Sequence, residues 1–237
     1  MTLKKSEQLL EIWCSQSGWL CERILEDSAR TPDYRITIAG TQLYAEVKEI
    51  IANEEERKVI EQLSTRGWSD PFGEEPGKTI REKIKESYGQ IKRFTDVENC
   101  SGVLVLYNNS GIVGLGRLDH YHVLTGMFGL QTVPISIPRN PQRQPIYGPD
   151  YFGPKKSVTA NRNRYLSAIM TLYEHHKKGL TVYCYHNPHA IHPIHPALIN
   201  VTNCVQYKVS SVKLNWELVQ FNLSQQLADT PRIGDKI

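Results

Sequence analysis

Two carboxylates and a lysine near the start of the chain have the types and spacing to bind a divalent cation. Asp33 comes before Glu46 and Lys48, and Ala39-Gly40 between them is a turn signal with alternating residues on both sides, which predicts a β-hairpin. Pairing the arms about that turn sets Asp33 opposite Glu46, with Cβ atoms about 4.5–5.5 Å apart. Two carboxylates at that distance repel each other, and a divalent metal with oxygen ligands is the usual way to hold them together. Lys48 lies on the same face because strand side chains repeat every second residue.

The two faces of the predicted hairpin differ in polarity. One face is almost entirely apolar and collects Tyr34, Ile36, Ile38, Thr41, Leu43, Ala45 and Val47. The other face is mostly polar and collects Asp33, Arg35, Thr37, Gln42, Tyr44, Glu46 and Lys48. A two- or four-residue loop gives this register, whereas a three-residue loop would place Asp33 opposite Val47. Ala39 is not an ideal residue for the positive φ of a tight turn, so a four-residue loop is an open alternative.

The sequence Pro32-Asp33, followed by Glu46-Val47-Lys48, resembles the PD-(D/E)XK motif of the restriction-endonuclease-like nuclease superfamily. The motif is short, but the elements predicted around it are similar to the superfamily core. Periodicity and turn signals predict, in chain order, a helix over 3–17, a strand over 19–25, the hairpin, a helix from Thr79 and a buried strand over 102–107. This αβββαβ order implies an α/β fold with a mixed sheet, a restriction-endonuclease-like core and a C-terminal β-rich elaboration.

The resemblance implies a role for each residue of the motif. Asp33 and Glu46 would bind Mg²⁺ or Mn²⁺, helped by the backbone carbonyl of Val47. Lys48 would orient the attacking water or help to deprotonate it. The implied function is metal-dependent hydrolysis of phosphodiester bonds in nucleic acid, with a DNA endonuclease favoured. Two alternatives stay open: a catalytically silent nuclease fold that binds nucleic acid or serves in assembly, and a chance motif in an unrelated α/β protein.

Two further site residues follow from the same resemblance. Superfamily members often carry a glutamate on the first helix that reaches the metal site, and Glu7 fits that placement better than Glu11. Many also carry a polar residue on the helix after the E-x-K strand, which here is Gln90. Its implied role is to hold the metal-site water, Lys48 or a phosphate. The alternative for each is an ordinary solvated helix residue, and we favour that interpretation for Glu11.

Length and charge predict one domain with two unlike halves. The 237 residues are enough for a single nuclease-like domain, with a catalytic core over 1–110, an insertion over 51–78 and a basic extension of the sheet over 111–237. Residues 1–110 hold 15 Lys+Arg against 19 Asp+Glu, whereas residues 111–237 hold 13 against 6. A basic half beside an acidic half that carries the candidate metal ligands suits a polyanionic substrate. Charge can also be distributed unevenly over a solvated surface without functional meaning.

Basic residues on the second predicted helix and in the Pro- and Gly-rich segment 139–164 are candidates for nucleic-acid contact. They are Lys83, Arg93, Lys155, Lys156, Arg162 and Arg164. Lysine and arginine suit phosphate contacts, and the tyrosines interleaved in the loop could stack on bases. The same residues are also ordinary solubilising groups.

Thr79 and Glu82 are spaced as a capping box at the start of this helix, and Gly89 within it is explained by close packing or by the approach of a ligand.

The second half of the chain gives weaker signals. A short helix is expected over 118–130 and an edge strand over 131–137, where Pro134 cannot donate to a neighbouring strand. Two more strands of the same sheet are expected over 165–173 and 180–186. The chain closes over 212–223 with apolar and polar positions mixed.

Four histidines recur at every third residue in the sequence HNPHAIHPIHP. The prolines between them favour polyproline II, whose three-residue period would align His186, His189, His192 and His195 on one edge. A second metal site there requires the imidazoles to converge, which a straight edge does not provide. We therefore favour a loop with exposed or phosphate-facing histidines.

Targeting signals are sparse. The five cysteines are widely spaced without a C-x-x-C pair, which favours a reducing cytoplasm over a zinc ribbon or a disulfide framework. No run of about 18 apolar residues predicts a membrane span, and the N-terminus reads as a polar helix rather than a secretory signal.

The expected partner is nucleic acid, with DNA favoured over RNA. A homodimer or a partner protein is compatible, because cutting both strands often takes two active sites.

Overall fold

The computed structural model describes residues 3–25, 31–69, 73, 75–111, 117–140, 142–149, 151–175, 179–209 and 218–220. Within them the α-helices are α1 (Lys5–Gln16), α2 (Glu54–Arg66), α3 (Lys78–Glu98) and α4 (His120–Phe128), with a short 3-10 helix over Pro196–Ile199. The strands of the main sheet are β1 (Leu20–Arg23), β2 (Tyr34–Ile38), β3 (Thr41–Ile50), β4 (Ser101–Asn108), β9 (Ala168–His175), β10 (Gly179–His186), β11 (Cys204–Val209) and β12 (Leu218–Gln220). Two-residue strands lie between β4 and β9 in the chain: β5 (Gln131–Thr132), β6 (Ile135–Ser136), β7 (Ile146–Tyr147) and β8 (Tyr151–Phe152).

The fold is mixed α/β around one sheet. Across the described residues, eight strands pair in the order β1-β2-β3-β4-β9-β10-β11-β12. Strands β3, β4 and β9 run parallel to one another, and the pairs β1–β2, β2–β3, β9–β10 and β11–β12 are antiparallel. The first part of the chain therefore has the predicted order of helix, three strands, helix and strand, with α2 added inside the predicted insertion.

The predicted hairpin register is confirmed. Ile38 pairs with Thr41 and Ile36 with Leu43 across β2 and β3. The connection is a two-residue turn in which Ala39 and Gly40 both take positive φ, at 47° and 80°. This is the primed turn whose twist matches that of the strands. The alternative of a four-residue loop is wrong. Ala39 adopts the left-handed conformation that a two-residue turn requires, although alanine is not an ideal residue for it.

Each face of the sheet is covered by its own apolar cluster. The predicted apolar face of the hairpin packs against α1 through Leu9, Leu10 and Trp13. The opposite face packs against α3 and α4, with Ile80 and Ile84 of α3 among the fully buried residues. Ile12, an apolar residue of the same helix, is 46% exposed, because the buried stripe of α1 passes through its neighbours.

The start of α3 differs from the predicted capping box. The helix begins at Lys78, its N-cap is Gly77 with φ 71°, and the side chain of Thr79 is buried in the first turn. Gly77 is needed because a Cβ there would lie 2.4 Å from the backbone nitrogen of Gly126 on α4. The close contact of the two helices therefore replaces a side-chain cap.

The second half confirms some predictions and corrects others. Helix α4 and strands β9 and β10 form where they were expected, and both strands join the main sheet. The expected edge strand over 131–137 is wrong: Pro134 splits it into β5 and β6, which pair with β8 and β7 in two small sheets of the described chain. Of the closing segment 212–223, β12 pairs with β11, and the rest lies outside the described residues. Among the helices described here, none combines the length and apolar character needed to cross a membrane.

Candidate functional site

Asp33 lies directly before β2 and is fixed by the backbone of β3. Its Oδ2 accepts a hydrogen bond from the Val47 N–H at 2.7 Å. Extending the hairpin register by one pair sets Asp33 opposite Glu46, as the sequence predicts. Burial raises the pKa of the Asp33 carboxyl. The hydrogen bond from the Val47 N–H and the positive charge of Lys48 lower this pKa, whereas the negative charge of Glu7 raises it further. Asp33 therefore lies within electrostatic range of the other acidic and basic residues of the site.

Glu46 is the most unusual group of the site, because its carboxylate is buried. The residue has no solvent exposure, and its Oε2 has no hydrogen-bond partner among the described residues. Burial and the nearby charge of Asp33 raise the pKa of Glu46 to about 7, although Lys48 acts in the opposite direction. An ionised carboxylate in such surroundings is unfavourable unless a cation compensates it.

Lys48 supplies part of that compensation. Its Nζ lies 2.5 Å from Glu46 Oε1, and its side chain remains 28% exposed. The ammonium therefore bridges the buried carboxylate and the solvent-facing side of the site. A half-exposed lysine can turn toward an anion outside the protein, which a fully buried one cannot.

The Val47 carbonyl points to the same side of β3 as Asp33. The N–H and C=O of one strand residue point the same way, and the Val47 N–H is directed at Asp33. The residue that would continue the β2 pairing at Val47 is Pro32, which has no N–H to donate. Because Pro32 has no N–H, it cannot donate a hydrogen bond to the Val47 carbonyl. This carbonyl lies beside the two carboxylates.

Glu7 comes near the site but is not brought into one ligand set with the two carboxylates. Its Oε1 accepts a hydrogen bond from Arg23 at 3.2 Å, and its Oε2 accepts one from the Lys4 N–H at 2.7 Å. The second bond caps α1, so both oxygens already have donors. Glu11, expected to be solvated, instead accepts a hydrogen bond from the buried Tyr34 hydroxyl at 2.7 Å.

Gln90 reaches the site from α3 in a way that the sequence did not specify. Its Nε2 donates to the carbonyl of Thr31 at 2.9 Å, two residues before Asp33. The side chain therefore anchors the segment that delivers Asp33. Gly89 beside it is exposed, and a Cβ there would meet nothing within 4 Å, so close packing does not explain this glycine.

Ser87 is a buried polar residue of α3 that sequence reasoning missed. Tyr44 of β3 contacts Phe94 of α3 with ring centroids 5.3 Å apart, and Ile50, farther along β3, packs with Ile80 and Ile84. Interpolating along both elements sets Ser87 and Gln90 level with Glu46 and Lys48. Ser87 is fully buried, and its hydroxyl has no hydrogen-bond partner in the described part of the chain. Its position on the inner face of the helix, at i−3 from Gln90, was the available signal.

The donor set suits a hard divalent cation. Asp33 and Glu46 offer carboxylate oxygens, Val47 offers a carbonyl, and the unpartnered Oε2 of Glu46 is an unfilled buried acceptor. Mg²⁺ is commonly held by one or two carboxylates with water and substrate phosphate completing the shell. Among the described residues, no three His, Cys, Asp or Glu side chains converge on one point.

The basic residues proposed for nucleic-acid contact are spread over several elements. Arg93, Lys156 and Arg164 are exposed. Lys155 pairs with Glu75 at 2.5 Å and Lys83 with Glu86 at 2.8 Å. Arg162 donates to the carbonyl of Lys156 at 3.4 Å. The structure therefore gives two of the six an acidic partner within the protein.

The histidine run does not form an aligned edge. His186 ends β10 and is buried, with Nε2 at 2.9 Å from Gln206 Oε1. The His195 ring caps the 3-10 helix by accepting from the Ala197 N–H at 3.3 Å. Because a strand end, a turn and a helix cap place these rings differently, the described histidines form no metal-binding group.

No protein-family model matches this chain, and neither does any curated protein or solved structure.

Proposed function

We propose that this protein is a metal-dependent nuclease of the PD-(D/E)XK type that hydrolyses phosphodiester bonds, with DNA as the favoured substrate. The observation that carries the proposal is the buried Glu46 carboxylate, whose Oε2 lacks a partner in the described residues while Asp33 raises its pKa. A fold that needed only an ion pair with Lys48 would gain nothing from a second carboxylate there. Binding of a divalent cation removes the repulsion and uses the free oxygen.

The proposed ligands are Asp33, Glu46 and the Val47 carbonyl. When bound, Mg²⁺ or Mn²⁺ would act as a Lewis acid on the phosphoryl oxygen and lower the pKa of a bound water. Asp33 is positioned for this by the Val47 N–H, and its segment is positioned by Gln90. Support also comes from the element order around the hairpin, which apart from the added helix α2 resembles that of the superfamily core.

Lys48 has two partners in this proposal. In the free protein its ammonium neutralises Glu46 at 2.5 Å. Were Glu46 to hold a cation, the Lys48 ammonium would be free to meet the scissile phosphate and to orient the attacking water or help to deprotonate it. Lys48 would then stabilise the charge that develops on the phosphate, from a position that the fold holds beside the proposed ligands.

Calorimetric titration with Mg²⁺ and Mn²⁺ tests the proposed metal site. We expect the wild-type chain to bind one or two ions, and Asp33→Asn and Glu46→Gln to weaken binding at least tenfold. Both changes keep the side-chain shape, and Asn can still accept the Val47 hydrogen bond. Glu22→Gln is the matched control, since Glu22 pairs with Arg35 on the surface of β1 and β2. Equal affinity in all four proteins would overturn the assignment of these ligands.

The alternative of a catalytically silent module is separated by hydrolysis rather than by metal binding. A silent nuclease fold could keep both carboxylates and still bind the cation. Metal-dependent release of cleaved nucleic acid, lost in Lys48→Ala while metal affinity is kept, excludes that alternative. Metal binding without cleavage of any nucleic acid favours it.

A further inference from the structure

A cavity of about 460 Å³ lies on the opposite face of the sheet from Glu46. It opens where the His- and Pro-rich segment folds back over the ends of β10 and β11, between His186 and Lys208. Strands β4 and β9 lie between β3 and β10, so the cavity is about 14 Å across the sheet from the carboxylate site. Its size is that of pockets that enclose small organic molecules.

The charge of the lining favours an anion. Four nitrogen-bearing side chains contribute to it, those of His186, Asn187, His195 and Lys208, and none of the described lining residues is acidic. Lys208 is exposed on β11, so its ammonium can turn into the mouth of the cavity without a desolvation cost. A concave surface with one sign of charge concentrates ligands of the opposite sign.

His186 is held as a hydrogen-bond acceptor. The Gln206 amide nitrogen donates to the carbonyls of Pro196 at 2.9 Å and Ile199 at 3.4 Å, which fixes the orientation of the amide. Gln206 Oε1 must then accept from His186 Nε2, so the ring proton is on Nε2 and Nδ1 carries a lone pair. Burial lowers the pKa of His186 and keeps the ring neutral. His186 lines the cavity, and the tautomer set by its neighbours leaves Nδ1 able to accept a hydrogen bond.

His195 has the complementary character. Its Nδ1 accepts from the Ala197 N–H, so in the neutral ring the proton lies on Nε2, which is a donor. Pro188, Pro193, Ile194 and Pro196 form an apolar, rigid part of the wall, and the polar Ser167 and Asn187 beside them donate hydrogen bonds to carbonyls of the protein. The rigid pyrrolidine rings of the prolines and the isoleucine side chain suit the face of a planar ring more than a flexible chain.

We propose that this cavity binds a nucleoside monophosphate, with the phosphate at Lys208 and His195 and the base between the prolines and His186. The three features select this class together: a cationic mouth for the phosphate, an apolar slot for the ring, and an acceptor for a base N–H. The inference does not depend on the carboxylate site and goes beyond the proposed nuclease function.

Titration calorimetry of the full chain with adenosine monophosphate, in the presence of EDTA, is the test. We expect one saturable site with a dissociation constant below about 1 mM, and at least fivefold weaker binding of adenosine and of inorganic phosphate. Lys208→Ala should weaken the binding of adenosine monophosphate about tenfold. Ala190→Phe, which fills the cavity, should abolish it.

Two controls separate this site from the rest of the protein. Lys58→Ala removes an exposed lysine of α2 and should leave binding unchanged, and Asp33→Asn should do the same because the carboxylate site is not involved. The proposal is overturned if adenosine monophosphate does not bind, if adenosine binds equally well, or if both Lys208→Ala and Ala190→Phe bind like the wild-type chain.

Discussion

At the scale of single residues, the site is defined by an electrostatic conflict. Glu46 is buried beside Asp33, and one lysine is shared between a carboxylate and the solvent. Burial opposes ionisation of both acids, whose pKa values rise as a result. Perturbed pKa values of this kind are common at functional sites, and under the proposed function a bound cation would resolve the conflict and so stabilise the folded chain.

The pH dependence of stability should reveal this conflict. The pKa of Glu46 rises from its ordinary 4.5 to about 7, so its ionisation opposes folding as the pH increases through that window. Glu46→Gln removes the charge. Relative to the wild-type chain, the variant should be similar in stability at pH 4.5 and more stable by about 1–3 kcal/mol at pH 8 without metal. Urea denaturation at the two pH values measures the difference.

Glu22→Gln is the control for this experiment, and its stability should follow that of the wild-type chain at both pH values. Addition of Mg²⁺ at pH 8 should raise the free energy of unfolding of the wild-type chain more than that of Glu46→Gln, because only the folded site binds the ion. A Glu46→Gln chain that is less stable than wild type at pH 8 would contradict the electrostatic account.

At the scale of elements, α3 positions the site from one side and the β2–β3 hairpin from the other. The apolar alternation and the turn dipeptide were sufficient to predict the hairpin register, because one wrong step would expose the whole core face. The role of Gln90 could not be derived in the same way, since its bond to the Thr31 carbonyl joins parts of the chain that are distant in sequence. The capping box predicted for α3 was wrong for the same reason. The residue at the N-cap, Gly77, is determined by the close backbone of α4, which is distant in sequence, and not by the residues of its own helix.

Gln90→Leu tests the positioning role of α3. Loss of one hydrogen bond should lower the free energy of unfolding by about 1 kcal/mol, whereas metal affinity should fall by a larger factor because Asp33 loses its anchored segment. Gly89→Ala is the matched control on the same helix. It should keep metal affinity and gain up to about 1 kcal/mol in stability, since its Cβ meets open space. Equal metal affinity in Gln90→Leu and wild type, measured by calorimetry, would remove Gln90 from the site.

At the scale of the whole molecule, the predicted insertion is docked through a buried ion pair. Glu56 of α2 is fully buried and pairs with Arg117, which is 7% exposed and precedes α4. The polar composition of residues 51–78 indicated an insertion but gave no sign of this contact, because both partners are charged and lie far apart in the chain. The helix is therefore attached to the α3–α4 side of the sheet, where the carboxylate site opens.

Glu56→Gln should destabilise the protein by about 3 kcal/mol, because it leaves the buried Arg117 guanidinium without the charge of its partner. Gln can still accept the Asn53 N–H that Glu56 Oε2 accepts, so the helix cap is kept. Glu55→Gln, an exposed neighbour on the same turn, should change stability by less than about 0.5 kcal/mol. Thermal denaturation of the two variants compares them directly, and equal effects would show that the pair does not dock α2.

The most direct test of the central claim is cleavage of plasmid DNA and of single-stranded DNA by the purified chain with Mg²⁺ or Mn²⁺. Glu46→Gln, Lys48→Ala and Glu22→Gln are assayed alongside, and EDTA controls are included. We predict metal-dependent cutting by the wild-type chain and by Glu22→Gln, with loss of at least a hundredfold in the other two variants. Cutting that persists unchanged in both Glu46→Gln and Lys48→Ala, or the absence of cutting by a folded wild-type chain that binds the metal, would contradict the assignment of this site as a nuclease centre.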